Sequence, residues 1–391
     1  MVNLSRALAL LLLAPLAGAD AARAQGIWVT GYYPAWRQAR LAPNDVDFGA
    51  VTHLVHFGVL PRPDGTIDAA VNMMTPANVA AAVKAAHNAG KRILFTVGGQ
   101  NSRERFEGAI GDGHRDAFVA ALVAYMRDNG YDGIDIDMED LPEGDVRDYA
   151  KFVRQLRIRL NALAPRPLLT AAVLWQPSLF ASLADDFDQI NLMTYNLSGP
   201  YPGWVVWHSG SLYDGGHRFP NGRARLPSAD GLVESFLAAG VPRKKIGVGL
   251  SFNGYVWSGG DVSRPRQIWS TPPAIKNFPY YSLADTYHIT EYDPASPGYH
   301  WDAEAQAAYL SIEGADRADA QFVSYTNAET VEKTVSYARG KGLGGMFVWD
   351  LGAGYRVDQP AGRRDVLLQA VKKARLGSPG PARQETPERT L

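Results

Sequence analysis

The 391-residue chain contains no cysteine. Disulfides, thiolate nucleophiles and cysteine-ligated metals are therefore excluded, and stability must come from burial of a core. The formal net charge is only −1, from 39 basic and 40 acidic residues. A nucleic-acid or anionic membrane surface requires clustered positive charge, so we expect neither partner. With 46% hydrophobic and 20% charged residues, the composition is that of an ordinary globular protein.

Several motifs of cofactor chemistry are also missing. The eight histidines show no His-Glu-x-x-His or other metal spacing. No Gly-x-x-x-x-Gly-Lys or Gly-x-Gly-x-x-Gly sequence follows a strand-like run, and no Gly-x-Ser-x-Gly elbow is present. We therefore predict no metal, no other cofactor and no serine nucleophile.

The only long apolar run lies at the N-terminus. Arg6 precedes the run 7–14, and the small-residue pattern Ala22-Arg23-Ala24 follows. A transmembrane anchor needs about 20 apolar residues, whereas this run is broken at Pro15. We predict that residues 1–24 are a signal peptide cleaved near Ala24, so that the mature protein is secreted to the outside or the periplasm and has no membrane contact.

Short apolar runs alternate with helix-like segments along the rest of the chain, the pattern of repeated βα units. The strand-like runs are 27–32, 51–57, 92–97, 132–139, 168–174, 189–195, 245–251 and 345–351. The helix-like segments include 76–88, 115–129, 146–163 and 364–375. Eight such strands predict an α/β fold, a (β/α)8 TIM barrel over residues 25–375, with an open doubly wound sheet as the alternative.

Two segments depart from this alternation. The interval 252–325 is rich in Tyr, Trp, Pro and Gly, with strand-like pieces at 288–292 and 321–325. We interpret it as a small α+β insertion between the seventh strand and its helix, because a disordered loop would not hold so many aromatic residues. Residues 376–391 are polar and rich in Gly and Pro, and we predict a disordered tail.

The strand-like run 132–139 carries acids at alternate positions. Asp135, Asp137 and Glu139 share one face of a strand and lie about 6.5 Å apart along it. Acids this close repel one another, and burial penalises their ionised forms, so stability does not explain them. The pattern favours catalysis, with Glu139 as a proton donor at the carboxyl end of a barrel strand.

At these residues the chain resembles family-18 glycoside hydrolases, the chitinase family. The acidic run matches the family's Asp-x-x-Asp-x-Asp-x-Glu motif at Asp132, Asp135, Asp137 and Glu139. Weaker matches follow in the family's order at 31–34 (Gly-Tyr-Tyr-Pro), 96–99 (Thr-Val-Gly-Gly), 193–195 (Met-Thr-Tyr) and Trp349.

The resemblance implies a retaining, substrate-assisted hydrolysis of β-1,4 linkages in chitin or chitooligosaccharides, without an enzyme nucleophile. Glu139 would be the acid, Asp137 would hold the acetamido N–H, Asp135 would share a proton with Asp137, and Tyr195 would hydrogen-bond the acetamido oxygen. The substrate-contacting residues implied are Tyr32, Trp349, Met193, Asn196, Gly98, Phe57 and Trp175, with Asp132 and Gly99 as structural members of the motifs.

Three positions depart from the family pattern: Met138 replaces a common Trp, Thr96 a common Ser, and Asn196 a frequent Asp. Met138 points away from the acidic face, Thr96 keeps its hydroxyl, and Asn196 removes a negative charge near Glu139. Two other functions remain open. One is an endo-β-N-acetylglucosaminidase acting on N-glycans or peptidoglycan-type sugars, and the other is a non-catalytic chitin-binding lectin, which the intact acids disfavour. We expect a monomer.

Overall fold

A computed structural model describes residues 26–260, 262–269, 271–290, 293–314 and 319–377. The strands are β1 (Trp28–Pro34), β2 (His53–Pro61), β3 (Ile67–Asp68), β4 (Arg92–Gly99), β5 (Gly133–Met138), β6 (Leu168–Val173), β7 (Gln189–Leu192), β8 (Ile246–Ser251), β9 (Asn253–Ser258), β10 (Ala274–Pro279), β11 (Tyr299–Asp302), β12 (Ala307–Ile312), β13 (Gln321–Tyr325) and β14 (Gly345–Trp349). The helices are α1 (Pro76–Asn88), α2 (Arg103–Ile110), α3 (Arg115–Asp128), α4 (Val146–Asn161), α5 (Pro177–Ser182), α6 (Ala229–Ala238), α7 (Tyr280–Thr286), α8 (Ala328–Gly340) and α9 (Val366–Leu376).

Eight parallel strands close into a ring. Their order is β1-β14-β8-β7-β6-β5-β4-β2, and β1 pairs with β2 to complete the circle. The short β3 pairs with β2 in the antiparallel direction. The predicted closed (β/α)8 barrel is therefore confirmed, and the open-sheet alternative is wrong because β1 has a partner on both sides.

The two faces of the barrel strands bury different chemistry. On β5, Ile134, Ile136 and Met138 belong to the large apolar core that includes the surrounding helices. Asp135 and Asp137 alternate with them on the opposite face, as a strand period of two requires. This face points into the barrel, where a smaller cluster holds Tyr32, Phe57, Met193, Tyr195 and Phe347.

An antiparallel sheet follows β8. Its order is β10-β9-β13-β12-β11, and it lies between β8 and α8 together with helix α7, where the insertion was predicted. Helix α7 reaches the barrel through Tyr281, whose hydroxyl accepts a hydrogen bond from Arg37 Nη1 at 3.2 Å. The Arg40 guanidinium also lies 3.6 Å from the centre of the Tyr281 ring, a cation–π contact.

Some predicted element boundaries were wrong. No strand forms at 288–290, where His288 adopts a φ of 53° that an extended strand cannot accommodate. The sixth barrel strand ends at Leu192 rather than residue 195, because Thr194 turns its N–H back to the Leu192 carbonyl. The last helix runs one residue past its predicted end, to Leu376.

The predicted signal peptide, residues 1–24, lies outside the described residues, as do 378–391 of the predicted tail. Within the described ranges, no helix combines the length and the apolar character needed to cross a membrane.

Candidate active site

Asp135 lies inside the barrel and is fully buried. Its carboxylate accepts three hydroxyl donors: Tyr32 at 2.8 Å, Thr96 at 3.0 Å and Thr170 at 2.5 Å. Burial raises the pKa of Asp135, and the hydrogen bonds from Thr170, Tyr32 and Thr96 oppose that rise. The strand register explains the convergence, since Thr96 on β4 and Thr170 on β6 are the direct neighbours of Asp135 on β5.

Asp137 lies two residues further along β5 and is 4% exposed. Its Oδ1 is buried and has no hydrogen-bond partner among the described residues. Burial raises its pKa well above the ordinary value, and the nearby carboxylates Glu139 and Asp135 raise it further. Asp137 therefore combines a raised pKa with an oxygen that accepts no hydrogen bond from the residues the structure describes.

The backbone around Asp137 is held closely by the neighbouring strand β4 and by the residues just after it. Ser102 Oγ donates to the Asp137 carbonyl at 3.2 Å and also accepts from the Glu139 N–H at 3.4 Å. Gly98 adopts a φ of +113°, and a Cβ there would lie 2.1 Å from the Asp137 carbonyl oxygen. Gly99 has a φ of +117°, and its Cβ would lie 2.6 Å from the Phe57 ring. These positions require glycine because both the dihedral angle and the space exclude a side chain.

Glu139 follows the last residue of β5 and is half-buried. Burial, supported by the negative charge of Asp140, raises its pKa to about 7. Glu139 lines an open pocket together with Met193 and Trp175. A carboxylic acid that keeps its proton near neutral pH and faces a pocket can act as a general acid.

Tyr195 and Met193 line the site from the segment after β7. Both side chains belong to the barrel-interior cluster, and the Tyr195 ring packs 5.7 Å from Phe347. Burial raises the pKa of Tyr195 well above its ordinary value, and the charges of Asp137 and Glu139 raise it further. The Tyr195 hydroxyl therefore keeps its proton and can donate a hydrogen bond close to the acids.

Aromatic rings form one wall of the site. Trp349, the last residue of β14, is half-buried and lies edge-on to Phe57 at 4.9 Å, Tyr32 at 5.9 Å and Trp36 at 6.5 Å between ring centres. A ring held by three neighbouring aromatic rings has the rigidity that a platform for a flat ligand requires.

The other residues predicted from the sequence to belong to the site differ in burial and in their distance from the acids. Trp175 is at the rim and is 59% exposed. Asn196 is also exposed, and its Oδ1 accepts from Ser209 Oγ at 3.3 Å. Tyr32 is buried and its hydroxyl donates to Asp135, which supports that acid, while its contact with substrate stays a prediction. Asp132 lies before β5, at the opposite end of the barrel from Glu139, and accepts the Ile93 N–H at 2.8 Å, a structural contact.

Sequence reasoning missed three residues at this site. Thr170 donates to Asp135, and Tyr149 of α4 lines the Glu139 pocket. Asp350 is buried directly after Trp349 and forms an ion pair with Arg37, Nε to Oδ1, at 3.4 Å. No local signal marks Thr170 or Tyr149, since only the strand register and the helix packing bring them to the acids. Within the described residues, no group of three or more His, Asp or Glu side chains could hold a metal ion.

The fold and the site together define a (β/α)8-barrel enzyme of the glycoside hydrolase class, with its acids at the carboxyl end of one strand. A family model described as glycosyl hydrolases family 18 matches residues 28–354. The chain belongs to this family, and the resemblance inferred from the acidic motif is confirmed.

Among curated relatives, a probable endochitinase of Caenorhabditis elegans is 27% identical over 356 residues, which are 82% of this chain and 55% of that protein. Chitinase A1 of Niallia circulans is 26% identical over 327 residues, 75% of this chain and 44% of that protein. The chain thus spans about half the length of these relatives.

Solved structures share the fold. The Group IV chitinase of Ostrinia furnacalis in complex with allosamidin superposes with a TM-score of 0.74 at 21% identity, over 89% of this chain and 98% of that one. A class V chitinase mutant of Cycas revoluta in complex with (GlcNAc)3 gives a TM-score of 0.71 at 21% identity, over 89% and 99% of the two chains.

Proposed function

We propose that the protein hydrolyses β-1,4 linkages between N-acetylglucosamine units of chitin or chitooligosaccharides, with Glu139 as the acid and base. The observation that carries this is the pair formed by Glu139, a protonatable acid facing a pocket, and Asp137, a buried carboxyl with an unpartnered oxygen. The names of the relatives and the sugar bound to the structural neighbour support the substrate class.

In the first step, Glu139 transfers its proton to the glycosidic oxygen, and the bond from that oxygen to the anomeric carbon breaks. The carbonyl oxygen of the sugar's own 2-acetamido group forms a bond to the anomeric carbon, giving an oxazolinium ion. Asp137 Oδ1 accepts the acetamido N–H, a hydrogen bond that none of the described residues gives this oxygen. Tyr195 donates to the acetamido oxygen, and Trp349 supports the sugar ring from its apolar face.

Asp135 stabilises the charge change at its neighbour. When Glu139 loses its proton, the negative charge near Asp137 rises, and a proton shared between Asp137 and Asp135 limits the repulsion. Three hydroxyl donors keep Asp135 able to carry charge although it is fully buried. In the second step, a water attacks the anomeric carbon, Glu139 accepts its proton, and the acetamido group leaves, so the anomeric configuration is retained.

The test is hydrolysis of an N-acetylglucosamine pentamer, with products and anomers followed over time. We expect the wild type to release short oligosaccharides in the β-anomeric form and Glu139→Gln to lose at least about a thousandfold in rate, since it retains the shape but has no acidic proton. Glu143→Gln, an exposed glutamate four residues further on, is the matched control and should retain full activity.

Other outcomes assign the site differently. Binding of the pentamer by an inert wild type would indicate a lectin. Cleavage of N-glycans or peptidoglycan fragments but not of the pentamer would keep the mechanism and change the substrate. Export through the predicted signal peptide is tested separately, by N-terminal sequencing of the secreted protein, for which we expect a start at Gln25.

A further inference from the structure

Asn196, the residue after Tyr195, has an unusual conformation. Its φ is 55°, in the left-handed region that most side chains avoid and asparagine tolerates best. Ser209 holds Asn196 and the residue after it: Ser209 Oγ donates to Asn196 Oδ1 at 3.3 Å, and the Ser209 carbonyl accepts the N–H of Leu197 at 2.9 Å. The backbone conformation directly after Tyr195 therefore depends on the position of Ser209.

Ser209 is in turn held by the insertion. Its N–H donates to Ser324 Oγ on β13 at 3.0 Å. The same Oγ lies 3.5 Å from Nδ1 of His208, a fully buried residue. His208 Nε2 lies 3.1 Å from Asp302 Oδ2, which also accepts Arg266 Nη1 at 2.9 Å. We call His208, Ser324, Asp302 and Arg266 the His208 cluster.

One arrangement of protons satisfies the whole His208 cluster. Because Ser324 Oγ accepts from Ser209, its own hydrogen is available for Nδ1 of His208. A neutral His208 then carries its proton on Nε2 and donates it to Asp302. Burial lowers the pKa of His208, which agrees with the neutral form, although the bond to Asp302 acts in the opposite direction. A fully satisfied buried network of this kind is rigid and has one geometry.

The segment that carries His208 is also fixed along its backbone. Val206 N–H donates to the Gln267 carbonyl at 2.9 Å, and Arg266 N–H donates to the Val206 carbonyl at 2.6 Å. Hydrogen bonds to the insertion therefore fix the conformation of this loop of the barrel.

We propose that Ser209 is a positioning residue: the His208 cluster, which ties the loop of Ser209 to the insertion, fixes Ser209, and Ser209 fixes Asn196 and so orients Tyr195 toward the acetamido group of the substrate. The inference rests on the proposed function. It predicts that Ser209 acts only through the Asn196 side chain, so removing that side chain first should cancel the effect of Ser209.

The experiment is a double-mutant cycle of Ser209→Ala and Asn196→Ala, assayed as kcat and KM on the N-acetylglucosamine pentamer. Ser209→Ala retains the backbone bond to Ser324 and should fold. Ser211→Ala is the matched control, because Ser211 is equally buried and its Oγ also donates a hydrogen bond, to the Pro227 carbonyl at 2.9 Å, away from the site.

We expect Ser209→Ala to reduce kcat/KM about three- to tenfold, the effect of one hydrogen bond, and Ser211→Ala to change it less than twofold. In the Asn196→Ala background, Ser209→Ala should have less than a twofold further effect. Equal losses in Ser209→Ala and Ser211→Ala, or losses at Ser209 and Asn196 that simply multiply, would overturn the proposal.

A second readout needs no substrate. The order parameter of the Asn196 side-chain amide, measured by ¹⁵N relaxation, should fall in Ser209→Ala and stay unchanged in Ser211→Ala. If this difference is found in a protein that cleaves no N-acetylated glycan, the proposed function fails while the positioning contact stands. If the amide is equally ordered in both variants, the positioning role is refuted whatever the activity.

Discussion

Replacing Glu139 by glutamine should stabilise the fold while it abolishes the proposed activity. The pKa of Glu139 is raised from 4.5 to about 7, chiefly by burial. As the pH rises above 4.5, the glutamate of the unfolded chain loses its proton while that of the folded chain retains it. The folded state then binds more protons, so this group lowers the free energy of unfolding with rising pH until its folded pKa is passed.

The magnitude follows from the two pKa values. This pKa difference lowers the free energy of unfolding by about 3 kcal/mol at pH 7, but by only about 1 kcal/mol at pH 5, because pH 5 lies just half a unit above the pKa of the unfolded glutamate. Glutamine has no proton to lose. The free energy of unfolding of Glu139→Gln, relative to that of the wild type, should therefore be about 2 kcal/mol higher at pH 7 than at pH 5.

Urea unfolding of both proteins at pH 5 and pH 7, with the slope of the transition checked for equality, measures this difference. Glu143→Gln is the control, because an exposed substitution should change stability by less than about 0.5 kcal/mol at either pH. A difference between wild type and Glu139→Gln that is the same at both pH values would refute the reasoning, since it would mean that Glu139 ionises in the folded protein as it does in the unfolded chain.

Three further changes test other parts of the site. Asp140→Asn should move the alkaline limb of the kcat/KM profile down by about 0.3 of a pH unit, because the charge of Asp140 helps to raise the pKa of Glu139; an unmoved limb would contradict this. Gly98→Ala should destabilise the protein by about 2 kcal/mol or more in urea unfolding, since its Cβ would lie 2.1 Å from the Asp137 carbonyl oxygen at a positive φ; wild-type stability would show that this contact is not tight. Trp175→Ala, made in the inactive Glu139→Gln background so that the pentamer is not cleaved during the titration, should weaken pentamer binding about tenfold by calorimetry relative to Glu139→Gln alone, without changing the urea midpoint, because the ring is mostly exposed; unchanged affinity would remove Trp175 from the binding surface.

Local sequence patterns predicted much of the barrel. The alternation of Ile134, Asp135, Ile136 and Asp137 indicated both a strand and the opposite faces that its side chains occupy, because a strand has a period of two. The eight strand-like runs all appear, since each is a short apolar segment between helices. The strand expected at 288–292 is absent over 288–290, the part of it that the structure describes, because His288 adopts a left-handed φ that interrupts an extended backbone, and nothing in the local sequence predicts that conformation.

What the sequence determined by itself is therefore the fold class, the family, and the identity of the acids in the motif, because these depend on spacing within single elements. Only the tertiary structure decided how the acids are supported. The three hydroxyl donors of Asp135 come from β1, β4 and β6. The contacts that hold Asn196 come from a serine 13 residues away and, through it, from the insertion. Contacts between distant segments are set by register and packing, and no local period in the chain encodes them.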